Sequence, residues 1–275
     1  MTLHPWNVDF KWVDSFGPYR ALADAQAEQF DADSYVVMPD VFTADEIAAV
    51  RTITDAFDAE SEAFLKQQRD GRIMIAESGA ITFSAHLVGR SPELAAFARH
   101  PKLVDICIDL IGDDVNLYWD QAVYKKPEKP RRFPWHQDNG YAYVEPQQYL
   151  TCWIPLTDAT VSNGCPHVAR GLHRNGTLQH TYVDPLGYEC FSEPPAEEIV
   201  AEAPAGSVVV FSSLTPHLTG PNTTDAVRKA YILQYAPVGA AKLQGDPTAG
   251  PAMNREMQDE PTRQFPVARR GSSAN

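Results

Sequence analysis

His136 and Asp138 stand two residues apart in the run Pro134-Trp135-His136-Gln137-Asp138-Asn139. In extended backbone, residues i and i+2 project to the same side, so an imidazole and a carboxylate face one direction there. Two such donors need a third. A second imidazole completes the 2-His-1-carboxylate set that holds Fe(II) on one face and leaves positions open for substrate and oxygen. His217 is the candidate, because it follows the apolar run Val208 to Phe211 by a few residues and should sit at the mouth of the folded core. A His-x-Asp triplet arises often by chance, so the weight comes from what lies downstream. Thr219 is two residues after His217, and Arg228, eleven residues after it, opens the next strand-like run. A guanidinium is a planar fork matched to a carboxylate, and a hydroxyl beside it adds one hydrogen bond. Together they would hold a dicarboxylic cosubstrate by its far end. Without a metal, the three donors would form a hydrogen-bonded turn, and Arg228 an ordinary ion pair with Asp225 or Glu202.

The other reactive side chains carry weaker patterns. His4, His86, His100, His167 and His180 lack a partner at ligand spacing and read as surface or hydrogen-bonded core groups, and His173 falls in a turn. Among the aromatics Phe83, Trp135, Tyr141 and Tyr143, the pair Tyr141 and Phe83 is expected to face the substrate. Lys125, Lys126, Lys129, Arg131 and Arg132 make one basic patch in a Pro-rich loop before His136. Such patches are usually solvated charge; the sharper reading is a role in binding an anionic substrate or gating entry.

These residues need a scaffold, and the chain changes rhythm to supply one. The N-terminal part reads as helical. A helix is expected around Tyr19 to Gln29, then a short strand Tyr35 to Met38, then a helix from Asp45 to about Lys66 with a Thr43/Glu46 capping box and an apolar face of Ile47, Val50, Phe57 and Phe64. Ser91-Pro92 and Pro101 start two more helices, the second ending near Gly112. From Val115 the pattern turns to short apolar or alternating runs between Pro, Gly, Asn and Asp: Val115 to Tyr124, Tyr149 to Pro155, Ser207 to Ser212 and Lys229 to Tyr235. That is the spacing of an all-β sandwich or barrel. Residues 239–275 are polar with several prolines and glycines, as in a loose end or a flap over the core.

The balance of 36 acidic against 23 basic residues gives a formal net charge of −13, which disfavours nucleic acid and anionic membranes as partners. No stretch approaches the length of a membrane span and Met1 to Phe10 does not resemble a signal peptide, so a cytoplasmic protein is expected. The four cysteines form no CxxC pair, and reduced thiols are the default. Oligomeric state is open.

Three segments resemble the phytanoyl-CoA dioxygenase-like branch of the Fe(II) and 2-oxoglutarate-dependent oxygenases. They are Pro134-Trp135-His136-Gln137-Asp138; Asn163-Gly164-Cys165 through Gly171-Leu172-His173; and His217-Leu218-Thr219 through Arg228. The resemblance runs from about Asp33 to about Pro237, and its specificity lies in the combination and order. It implies one domain over residues 1–275: a mainly β, double-stranded β-helix (jelly-roll or cupin-like) core braced by N-terminal helices. It implies His136, Asp138 and His217 as iron ligands, Arg228 and Thr219 on the distal carboxylate of 2-oxoglutarate, and Gln121 and Trp153 in the same pocket. The expected activity is oxidation of an unactivated C–H of a small molecule, using O2 and releasing succinate and CO2. The chain reads Arg170-Gly171-Leu172-His173 where the family usually has a Pro-Gly-Ser-His or Pro-Gly-Thr-His turn, which leaves the shape of that loop open. It keeps Asp138, whereas related halogenases put a small residue there. Two rivals remain: a zinc-dependent hydrolase or isomerase on a cupin-like barrel, which leaves Arg228 and Thr219 unexplained, and a catalytically silent binding homologue.

Overall fold

A computed structural model describes residues 1–127 and 133–274. Four helices come early: α1 (Asp24–Asp33), α2 (Ala44–Lys66), α3 (Pro92–Ala98) and α4 (Pro101–Ile111). The strands that build the site are β1 (Tyr35–Met38), β2 (Ile81–Ala85), β3 (Val115–Lys125), β4 (Leu150–Pro155), β5 (Pro166–Ala169) and β6 (Glu198–Val200). They continue with β7 (Val208–Ser212), β8 (His217–Thr219), β9 (Arg228–Pro237), β10 (Ala241–Gln244), β11 (Asn254–Met257) and β12 (Pro266–Arg269).

The major sheet runs β1-β7-β4-β9-β3-β2 with antiparallel pairing, and a smaller sheet, β6-β5-β8, carries His217. Two sheets facing one another in this way make the double-stranded β-helix, a jelly-roll arrangement. The major sheet has two different faces because side chains alternate along each strand. Leu150, Cys152 and Ile154 of β4, with Val208 and Val210 of β7 and Tyr231, Leu233 and Tyr235 of β9, pack under the helices against Phe30, Ile47, Leu94 and Leu103. The other parity, Trp153, Val209, Phe211 and Ala230, faces the smaller sheet. Val208 to Phe211 is apolar without a break because each parity is buried, one under helices and one inside the sandwich.

Helix ends follow their local chemistry. At α2, the Thr43 hydroxyl accepts from the Glu46 N–H at 3.3 Å and the Glu46 carboxylate accepts from the Thr43 N–H at 2.8 Å. Its face departs from expectation at one end: Ile47 and Val50 are buried and Phe57 packs on the core, but Phe64 is exposed and Leu65 takes the buried place. The first helix starts later than Tyr19. The Asp109 carboxylate accepts from the N–H groups of Arg20, Ala21 and Leu22, so these donors are held by a neighbouring helix and the turn begins at Asp24.

Residues 239 onward are not a loose end; the segment lies over the core, as the flap alternative has it, and is tied down by strand pairing. β10 pairs with β11 and with Val144–Glu145, and β12 adds to β3 at Val115 and Asn116. No helix among the described residues is long and apolar enough to cross a membrane.

Candidate functional site

The backbones of His136 and His217 exchange both hydrogen bonds, His136 N–H to His217 O at 3.0 Å and His217 N–H to His136 O at 2.8 Å. This bridge sets the two imidazoles side by side with ring centroids 4.3 Å apart. Gln137 points the other way and is fully buried. Its amide donates to Gly176 O and Leu214 O and accepts from Leu178 N–H, while its own N–H donates to His180 Nε2. The i, i+2 rule therefore holds: Gln137 fastens the segment inward while its neighbours face the sandwich interior. Asp138 opens a short 3-10 turn and brings Oδ1 to 3.8 Å from His217 Nε2. One donor atom from each of His136, Asp138 and His217 lies within 4.8 Å of the others.

The protonation pattern suits a cation. A carbonyl can only accept, so His136 Nδ1–H donates to Pro134 O at 3.1 Å and His217 Nδ1–H to Thr215 O at 2.9 Å. In this orientation Nε2 is the atom each ring turns toward the candidate cation site, as in metal-binding histidines whose other ring nitrogen donates to a carbonyl. Burial, with the His217 ring as a second cause, holds the His136 pKa well below its ordinary value and keeps the ring neutral. Two imidazoles and one carboxylate are the donor set of a non-haem Fe(II) centre, so these residues fit the ion.

The triad opens into a cavity of about 860 Å³. Arg228, Thr219, Gln121 and Trp153 line it, as do Tyr141 and Phe83, so the structure brings every sequence-predicted site residue to one space. Arg228 is 1% exposed at the start of β9, with its guanidinium carbon 5.3 Å from the centre of the Trp153 ring. Thr219 closes β8, whose end is held by the Lys125 ammonium, a donor to Thr219 O at 3.2 Å and to Gly220 O. In the Asn163-Gly164-Cys165 turn a Cβ at Gly164 would collide with the Gly220 carbonyl, so glycine is what lets this turn pass the strand that carries Thr219. Tyr141 meets the His136 ring edge-on at 5.2 Å, and Phe83 lies across the cavity among Ile81, Val123 and Phe133.

The other candidates fall differently. Trp135 packs on Phe191, and Tyr143 donates its hydroxyl proton to Trp6 O, so neither lines the cavity, and of the four aromatics those that do are Tyr141 and Phe83. Lys125 and Lys126 are not solvated: the first is buried under Phe133, and the second pairs with Glu62 and Asp58. Lys129, Arg131 and Arg132 lie outside the described residues. His173 is buried against Trp12, with Nε2 on Asp31 O, and stays out of the cavity. His86, read as surface or core, does line the cavity, meeting Trp119 edge-on with ring centroids 4.2 Å apart and accepting from Arg263.

Other cavity residues had a signal that went unused. Tyr149 and Thr151 share the face of Trp153 at i−4 and i−2, and Gln234 is the register partner of Thr151. Tyr118 and Trp119 both reach the cavity because the β3–β9 register shifts there, pairing Gln234 with Trp119 and Tyr235 with Leu117 and leaving Tyr118 as a bulge. Lys242, Glu256, Gln258, Arg263 and Gln264, from the C-terminal segment, had no sequence signal at all.

Comparison with known proteins agrees with this architecture. The ectoine dioxygenase of Sphingopyxis alaskensis is 28% identical over 235 residues, covering 78% of this chain and 76% of its own. The α-ketoglutarate-dependent carbocyclase SnoK from nogalamycin biosynthesis superposes with a TM-score of 0.66 at 24% identity, covering 82% of this chain and 90% of its own. The epimerase SnoN, in complex with Fe3+, α-ketoglutarate and nogalamycin RO, gives a TM-score of 0.65 at 20% identity over 88% and 96% of the two chains. The phytanoyl-CoA dioxygenase (PhyH) family model matches residues 30–230. That span is well over half of the chain and contains the triad, Thr219 and Arg228; the protein belongs to the phytanoyl-CoA dioxygenase (PhyH) family.

Proposed function

We propose that this protein oxidises an unactivated C–H of a small-molecule metabolite or natural-product intermediate, most simply by hydroxylation, with release of succinate and CO2. The coarser class follows from the family: an oxidoreductase that uses Fe(II), 2-oxoglutarate and O2. The observation that carries the reading is one cavity lined at once by the three clustered donors His136, Asp138 and His217 and by the buried Arg228 with Thr219.

When bound, iron with 2-oxoglutarate and O2 supplies the oxidising power that side chains lack. The chain's part is placement. His136, Asp138 and His217 would hold the ion. Arg228 and Thr219 offer a fork of N–H donors and a hydroxyl to the distal carboxylate of the cosubstrate, with Gln121 and Trp153 walling that pocket. Tyr141 and Phe83 present apolar surface to the substrate. The remaining walls differ in character: Ile73, Met74 and Ile75 make an apolar side, while Lys242, Gln258, Arg263 and Gln264 make a polar one. A cavity of about 860 Å³ with such walls suits a medium-sized, partly apolar small molecule.

Succinate release from 2-oxoglutarate by Fe(II)-loaded protein, stimulated by members of a small-molecule panel, is the expected result. Turnover with Zn(II) in the absence of 2-oxoglutarate would instead favour a hydrolase.

A further inference from the structure

We propose that Thr151 is a positioning residue that holds the Asp138 carboxylate with Oδ1 toward the two imidazoles, and that Gln234 orients the Thr151 hydroxyl for this task. The proposal rests on the reading of His136, Asp138 and His217 as the iron site.

Thr151 lies in the middle of β4, in register with Phe211 on one side and Gln234 on the other. Its hydroxyl is 2.5 Å from Asp138 Oδ2, and the Gln234 amide nitrogen is 3.2 Å from the same hydroxyl. Thr151 is 2% exposed and Gln234 7%, so these contacts face little competition from solvent. The direction of each bond is fixed by chemistry. An ionised carboxylate only accepts, so the single hydroxyl proton goes to Asp138; the hydroxyl oxygen then accepts from the Gln234 amide. A β-branched side chain in a strand has few χ1 choices, so the donor stays aimed.

The consequence concerns which oxygen faces the imidazoles. Oδ2 is taken by Thr151, while Oδ1 is the oxygen facing His217 Nε2 at 3.8 Å. Thr151 thus fixes the carboxylate in the orientation that groups Oδ1 with the two imidazoles. Hydrogen bonds of this kind to a ligand typically change metal affinity about 10- to 100-fold.

The test is anaerobic titration of the full chain with Fe(II), repeated with Mn(II), for wild type, Thr151→Val, Thr151→Ser and Gln234→Leu, with the melting temperature of each metal-free protein measured in parallel. Valine keeps the shape and the strand preference and removes only the donor. Thr151→Val is expected to weaken metal binding about 10- to 100-fold with little change in melting temperature, Thr151→Ser to restore most of the affinity, and Gln234→Leu to lose less than valine does. Wild-type affinity in Thr151→Val overturns the role, as does an equal loss in Thr151→Ser. A wild-type protein that binds neither metal overturns the reading of the site itself, and the role with it.

Discussion

Two aspartates sit on opposite sides of the major sheet, Asp120 fully buried and Asp138 partly so, and their surroundings show what separates a structural acid from a ligand. Asp120 of β3 faces the helices and is fully buried. Its Oδ2 accepts from the N–H groups of Leu87 and Val88 and from the Tyr231 hydroxyl. Burial outweighs these donors and pushes its pKa up to about 6. Asp138 faces the cavity, with the His217 imidazole beside one oxygen and the Thr151 hydroxyl on the other. The first acid is enclosed by backbone donors that fasten the Leu87–Gly89 turn to the sheet. The second stands among groups that can share a cation. One residue type thus serves the core on one face and the chemistry on the other: parity along β3 places Asp120, and the His136–His217 bridge with the short turn after it places Asp138.

The largest effect expected from this contrast is at the ligands. Asp138→Ala and His136→Ala should each abolish Fe(II) binding and turnover while leaving the metal-free fold intact, checked by metal titration and circular dichroism. Asp120→Asn should leave metal affinity near wild type. Full turnover in the Asp138 variant would erase the distinction between the two acids.

Next comes the anchor. Arg228→Ala removes charge-assisted hydrogen bonds worth roughly 1.5–3 kcal/mol, so the KM for 2-oxoglutarate should rise about 10- to 100-fold with little change in that for the organic substrate. Unchanged values for both would exclude Arg228 as the anchor.

Asp120 sharpens the comparison through pH. Its folded pKa of about 6 lies above the ordinary 3.8, so between these values the folded chain keeps a proton that the unfolded chain has released. The stabilisation from this group is complete below pH ~4 and is lost as pH rises through about 6. Asp120→Asn has no such loss, so its stability relative to wild type should rise across that interval by at most about 3 kcal/mol and level off above it. Denaturant unfolding from pH 4 to 7 reads this directly, and a flat difference would contradict it.

The smallest effect is expected at the cavity wall. Phe83→Ala and Tyr141→Ala should raise the KM for the organic substrate several-fold and leave that for 2-oxoglutarate unchanged, in steady-state assays.

Much of this was legible in the sequence for identifiable reasons. The His136/Asp138 pair was visible because period-2 geometry needs only the local chain, and the capping box at Thr43 and the Pro starts of α3 and α4 are equally local. Strand positions after Val115 were visible because Pro and Gly bound each run. What was missed depends on long-range contact. β5 is short and pairs with strands distant in sequence, and nothing around Lys242 or Arg263 announces that the C-terminal segment wraps back to wall the cavity. The start of α1 was misplaced because Asp109, nearly ninety residues away, claims the N–H donors of residues 20 to 22. His86 was set aside because its partners, Trp119 and Arg263, are brought to it by the fold alone.

The most direct test is an anaerobic titration of the purified protein with Fe(II) and 2-oxoglutarate, following the weak visible charge-transfer band of the chelate. A band in the wild type that is lost in His217→Ala is the predicted result. Tight metal binding with no band on adding 2-oxoglutarate would contradict the dioxygenase site.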